Sequence, residues 1–192
     1  MNHYPDLLRP DSSEVILLPS GNKMEVPKAT PTFDGWAGKP VEDTYRGKPV
    51  LDFAGEPVFA ELAILRAFQN SGWDGVWVDT FQKKYRIGYW GKNSGIVLPS
   101  EQELLLNHIY ERARSRSGCW DVFCWRSEVQ LFIEAKRHGH DQIRATQRRW
   151  LEAAISEGLP ASAFLVVEWS LREEEQDMPT TEAKIVLLDR NS

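Results

Sequence analysis

The period of hydrophobic and polar positions changes several times along this chain, and each change marks an element. Short apolar runs at 14–18 (EVILL) and 23–26 (KMEV) flank Pro19-Ser20-Gly21-Asn22, which predicts a β-hairpin. From Pro57 onward, Val58, Leu62, Leu65 and Phe68 fall at helical spacing. A helix is therefore expected from Pro57, a residue suited to a first helical position, to the stop at Asn70-Ser71-Gly72. The runs 75–80 (GVWVDT) and 84–89 (KYRIGY) read as the two strands of a second hairpin. Ser100 with Glu103 three residues on fits a capping box, and Leu104, Leu105, His108 and Ile109 carry a helix on to Arg114.

The stretch 118–151 then reads strand, turn, strand, turn, helix. Asp141 is expected to cap its helix, and Gly158 and Pro160 to end it after Glu157. The inward stripe of that helix is Ile143, Gln147, Trp150, Leu151 and Ala154, so Gln147 is an amide on an apolar face. An apolar strand at 163–169 (AFLVVEW), an acidic loop at 173–177 and a last strand at 184–188 (KIVLL) follow. The element order predicts one α/β domain at 55–192, a mixed central sheet with helices on both sides, behind an N-terminal arm at 1–54. The arm reading rests on proline, since eight of the eleven prolines lie in residues 1–57.

Within 118–151 the alternation puts charge in unusual places. Glu134 and Lys136 share one face of their strand while Ile133 and Ala135 share the other, and Asp121 opens the neighbouring strand. Charged groups are almost never buried in a strand unless paired or bound to metal. The plain structural alternatives are a turn residue for Asp121, a surface ion pair for Glu134 and Lys136, and a capped core amide for Gln147. Glu61, on the flank of the helix around Ile64 and Leu65, reads as a carboxylate snorkelling at the core edge.

Composition supports a packed protein: 192 residues, 42% hydrophobic, with eight Trp. The net charge of −5 argues against a nucleic-acid partner, but its distribution does not. Residues 112–149 hold nine Lys/Arg against four Asp/Glu, whereas 150–192 hold three against nine. A basic segment in an acidic chain is an electrostatic footprint for phosphate, carried by Arg112, Arg114, Arg116, Arg137, Arg144, Arg148 and Arg149. Cys119, Cys124, His138 and His140 give a C-x4-C-x13-H-x-H spacing that suggests zinc. Strand parity opposes it, because positions five apart face opposite sides of a strand. No apolar run reaches spanning length and no signal-peptide pattern opens the chain, so a soluble, cytoplasmic protein is expected, with no membrane partner.

Asp121, then Glu134-Ala135-Lys136 across a tight hairpin, then Gln147-Arg148-Arg149-Trp150 and Gly158, resembles the VRR-NUC branch of the PD-(D/E)XK nuclease superfamily. Trp120 stands where that family has a proline. The resemblance implies a restriction-endonuclease-like fold and hydrolysis of phosphodiester bonds in DNA, branched or flapped DNA included. It also implies that Asp121, Glu134 and the Ala135 carbonyl hold a metal, that Gln147 holds Lys136 or the attacking water, and that Glu61 joins as an outer carboxylate. The residue chemistry agrees, since hard carboxylate oxygens suit Mg2+ or Mn2+, and Lys136 lies along the same face to orient a water. Double-strand cleavage from one such site would need a homodimer. The rival from another class is a non-cleaving nucleic-acid-binding protein that keeps the scaffold and the basic face; a zinc-stabilised module is a third.

Overall fold

Edge strands, a mixed sheet and two helical layers account for the computed structural model, which describes residues 4–41, 47–88 and 95–172. The N-terminal part contributes β1 (Ser12–Leu17), β2 (Lys23–Ala29), β3 (Thr32–Gly35), β4 (Leu51–Phe53) and β5 (Glu56–Val58). Then come α1 (Ala60–Asn70), β6 (Asp74–Asp79), β7 (Lys84–Arg86) and α2 (Ser100–Ala113). The final part is β8 (Val122–Arg126), β9 (Val129–Arg137), α3 (Ala145–Ser156) and β10 (Phe164–Leu171). The ten strands of the described residues form one open, mixed sheet, ordered β5-β4-β3-β10-β9-β8-β6-β7, with β2 also on β10 and β1 on β2. The expected strand at 184–188 and the acidic loop at 173–177 lie outside the described residues.

The centre of the sheet follows from the apolar alternation. β6, β8 and β9 are antiparallel neighbours, and β10 runs parallel to β9. A parallel neighbour needs a crossover, and α3 supplies it. β9 buries both faces: Ile133 packs with α1 residues such as Leu62 and Leu65, Phe132 with α2 and α3 residues such as Ile109 and Trp150. Phe132 stacks on Phe123 at 4.3 Å and meets the edge of Trp150 at 4.9 Å. Such ring pairs add about 0.5–1.5 kcal/mol each beyond area burial, so this aromatic column fixes how α3 lies on the sheet. Trp120, fully buried, meets Phe164 edge-on at 5.2 Å and anchors the entry to β8.

The expected hairpin forms as β1 and β2, and the segment then continues into the sheet. Lys28 and Ala29 pair in parallel with Val166 and Val167, and Thr32 and Phe33 with Ser170 and Leu171. Strands β1 to β5 thus extend the central sheet beyond β10, a placement that proline content alone did not predict.

Three expected boundaries shift. Pro57 sits in β5 opposite Asp52, so α1 begins at Ala60. β5, the edge strand of this side of the sheet, tolerates proline because an edge strand can spare a donor. Ser100 is the first residue of α2 rather than its cap; Pro99 precedes it, and its carbonyl accepts the Glu103 N–H at 3.0 Å. Asp141 does not cap α3, because its carboxylate instead accepts the Arg137 N–H at 3.1 Å and closes the turn after β9. Arg144 takes the N-cap position. Among the described residues no helix is long and apolar enough to cross a membrane.

Candidate active site

The β8–β9 register explains how the three ionisable residues meet. Val122 pairs with Ile133 across a two-residue turn, so Asp121, one step before β8, falls opposite Glu134 on the same face. An Asp121 carboxylate oxygen accepts the Ala135 N–H at 3.1 Å. Glu134 and Lys136 are 1% and 7% exposed, and Lys136 Nζ lies 2.6 Å from Glu134 Oε1. The surface ion-pair alternative therefore fails: this pair is buried.

Gln147 locks the pair from α3. Its Nε2 donates to Glu134 Oε1 at 2.5 Å, and its Oε1 accepts the Arg144 N–H at 2.8 Å and Lys136 Nζ at 3.4 Å. The first turn of α3 comes this close because residue 118 is glycine. A Cβ at Gly118 would stand 2.3 Å from the Thr146 carbonyl oxygen, and its φ of +91° is left-handed backbone. Replacing Gln147 with Leu keeps the bulk but strips partners from a buried carboxylate and a buried ammonium. That variant is expected to lose about 1–3 kcal/mol, read as a lower denaturant midpoint at unchanged slope.

These groups line a cleft of about 410 Å³ at one end of the sheet. Burial, and then the charge of Glu61, raise the Asp121 carboxyl to about 6, with Lys48 and Lys136 pulling the other way. Burial, and then Asp121, push Glu134 well above the usual carboxylate range, against the pull of Lys136. Glu134 Oε2 is buried without a hydrogen-bond partner. An unsatisfied buried carboxylate oxygen facing a second carboxylate is a poor arrangement for a core and a good one for a hard cation. Asp121 and Glu134 are the side chains that fit Mg2+ or Mn2+. Among the described residues no three His, Cys, Asp or Glu side chains gather closely enough to hold one ion. The remaining positions would fall to backbone oxygen and water, which is how Mg2+ is commonly held.

Glu61 reaches the cleft from the first turn of α1, buried and ion-paired to Lys48. Lys48 also lies over the Phe59 ring at 5.4 Å. Burial pulls the Lys48 ammonium toward neutrality, but Glu61, Asp121 and Asp141 outweigh it and hold it charged. Sequence reasoning missed Lys48. It stands in Gly47-Lys48-Pro49, with no periodicity or spacing to single it out.

The predicted phosphate-binding arginines do not form one face. Arg137 and Arg144 line the cleft, with Arg137 over the Trp169 ring at 5.9 Å. Arg148 borders a second cleft beside His138 and His140, which shares Lys136 and Asp141 with the first. Arg149 is exposed and lines neither. Arg112 is ion-paired to Glu157, joining α2 to α3, while Arg114 and Arg116 lie in a groove at the end of α2. Arg112, Arg114 and Arg116 therefore stand outside the cleft. The two cysteines are free and occupy separate core clusters, Cys119 with α2 and α3, Cys124 with α1. The chain matches no family model, no curated protein and no solved structure.

Proposed function

We propose that this protein is a metal-dependent nuclease that hydrolyses phosphodiester bonds in DNA, on a restriction-endonuclease-like scaffold of the VRR-NUC kind. The observation that carries the reading is the cluster of buried Glu134, Lys136 and Gln147 with half-buried Asp121, opening into a cleft walled by Arg137 and Arg144. The order of α1, β6, β8, β9, α3 and β10 supports it, with β7 and α2 as the additional elements between Glu61 and Asp121.

Asp121, Glu134 and the Ala135 carbonyl are the groups that would hold Mg2+ or Mn2+. A bound divalent ion supplies positive charge to the phosphate and lowers the pKa of a water. The chain's own residues do the rest. Lys136 Nζ, held by Glu134 and Gln147, orients the attacking water; Arg137 and Arg144 grip phosphate oxygens and position the strand. The water oxygen forms the new bond to phosphorus and releases its proton to solvent as the bond to the leaving strand oxygen breaks, and that oxygen takes up a proton from solvent. Two copies of the chain would be needed to cut both strands of a duplex together.

Incubation of the purified protein with linear, nicked, flapped and four-way DNA plus Mn2+ tests this. Cleavage of at least one substrate, stopped by chelator, is the expected result. Metal-independent binding without cleavage would instead identify a non-cleaving DNA-binding protein.

A further inference from the structure

We propose that Lys48 supplies the positive charge that a second divalent ion would otherwise bring to this cleft, so that the chain works with a single metal ion. This rests on the nuclease reading for its chemistry but not for its measurement.

Four carboxylates line the cleft, from Asp121, Glu134, Glu61 and Asp141, and Asp141 is taken up in the turn after β9, where it accepts the Arg137 N–H. Asp121 and Glu134 share a face by register, and Glu134 Oε2 is unsatisfied, so these two have a ligand's freedom. Glu61 differs, because its carboxylate is ion-paired to the Lys48 ammonium. No third acid joins the Asp121–Glu134 couple closely enough to complete a larger ligand set among the described residues. The Lys48 side chain is fixed from a second side by the Phe59 ring. A cation held between a carboxylate and an aromatic face, on the cleft wall, is placed to meet an anionic ligand.

A second divalent ion bound through Glu61 would have to displace Lys48 from that carboxylate. An aqueous Mn2+ titration followed by electron paramagnetic resonance counts the ions directly, without DNA or turnover.

The expected count is one Mn2+ per wild-type chain. Lys48→Met frees Glu61 and is expected to raise the count to two, while Lys48→Arg keeps the charge and stays at one. Two Mn2+ on the wild type, or one on folded Lys48→Met, would overturn the proposal; the wild-type count stands even where a variant does not fold. DNA cleavage on the same samples separates the two ideas. One Mn2+ bound with no cut removes the nuclease reading and supports the count, whereas cleavage with two ions bound removes the single-ion proposal alone.

Discussion

Glu134→Gln is expected to abolish Mn2+-dependent DNA cleavage, a loss of at least about 10³-fold, while the protein remains folded. The conservative change matters because the site is buried. Removing one partner of a buried ion pair strands the other charge, a cost of about 3–5 kcal/mol, so Glu134→Ala and Lys136→Ala would confound stability with activity. Glutamine keeps an oxygen for the 2.5 Å bond from Gln147 and the 2.6 Å contact from Lys136, but it removes the charge that a cation needs. Lys136→Met also leaves Glu134 unpaired, so its expected loss of about 10²–10⁴-fold, from an unoriented water, is read only on protein whose melt shows it folded. Cleavage rates at saturating Mn2+, with circular dichroism melts alongside, read both effects. Retention of more than a tenth of wild-type activity by folded Glu134→Gln would remove this carboxylate from the chemistry.

Asp121→Asn is expected to make the metal-free protein more stable at about pH 8, by up to about 3 kcal/mol. Folding raises the Asp121 carboxyl from 3.8 to about 6, first through burial and then through Glu61. A carboxyl raised on folding binds its proton more tightly in the folded state. Its cost to stability is therefore absent below its unfolded value, grows as the pH rises, and is complete above about 6. Asparagine carries no such cost and still accepts the Ala135 N–H. Melts in chelator should place the variant several degrees above wild type at about pH 8, with the gap closing as the pH falls toward about 4. Added Mn2+ should then raise the wild type and leave the variant unmoved, since binding stabilises only the form that binds. A variant that melts lower at about pH 8 in chelator would contradict the assignment. The sign expresses a trade common at active sites, in which charge repulsion is kept for function.

The site was legible in the sequence where periodicity carried it. Two-residue alternation placed Glu134 with Lys136, and the hairpin brought Asp121 opposite, because antiparallel pairing across a tight turn is a local event. Helical spacing aimed Gln147 inward for the same reason. The mixed α/β sheet was legible too, from apolar strands alternating with amphipathic helices, though which strands run parallel was not.

What was not legible depends on contacts between distant residues. The parallel pairing of Lys28 with Val166 has no local signature, so residues 1–54 read as a proline-rich arm and the place of β2 and β3 beside β10 was not foreseen. Lys48 meets Glu61 through tertiary approach alone. Ser100 satisfied a capping pattern, but Pro99 before it took the cap position with its backbone. The arginines at 112–116 follow one another in sequence, yet the end of α2 turns Arg112 to Glu157 and carries Arg114 and Arg116 away from the cleft. Net local charge located a basic segment; it did not say which way each side chain would face.

The central claim is that Asp121 and Glu134 share one divalent cation, and a crystal soaked in Mn2+ tests it most directly. Anomalous scattering should place a single Mn2+ bound by one carboxylate oxygen of Asp121, by Glu134 Oε2 and by the Ala135 carbonyl, with water completing its shell. A cleft without an anomalous peak at saturating Mn2+, or an ion held by Glu61 and not by Glu134, would contradict it.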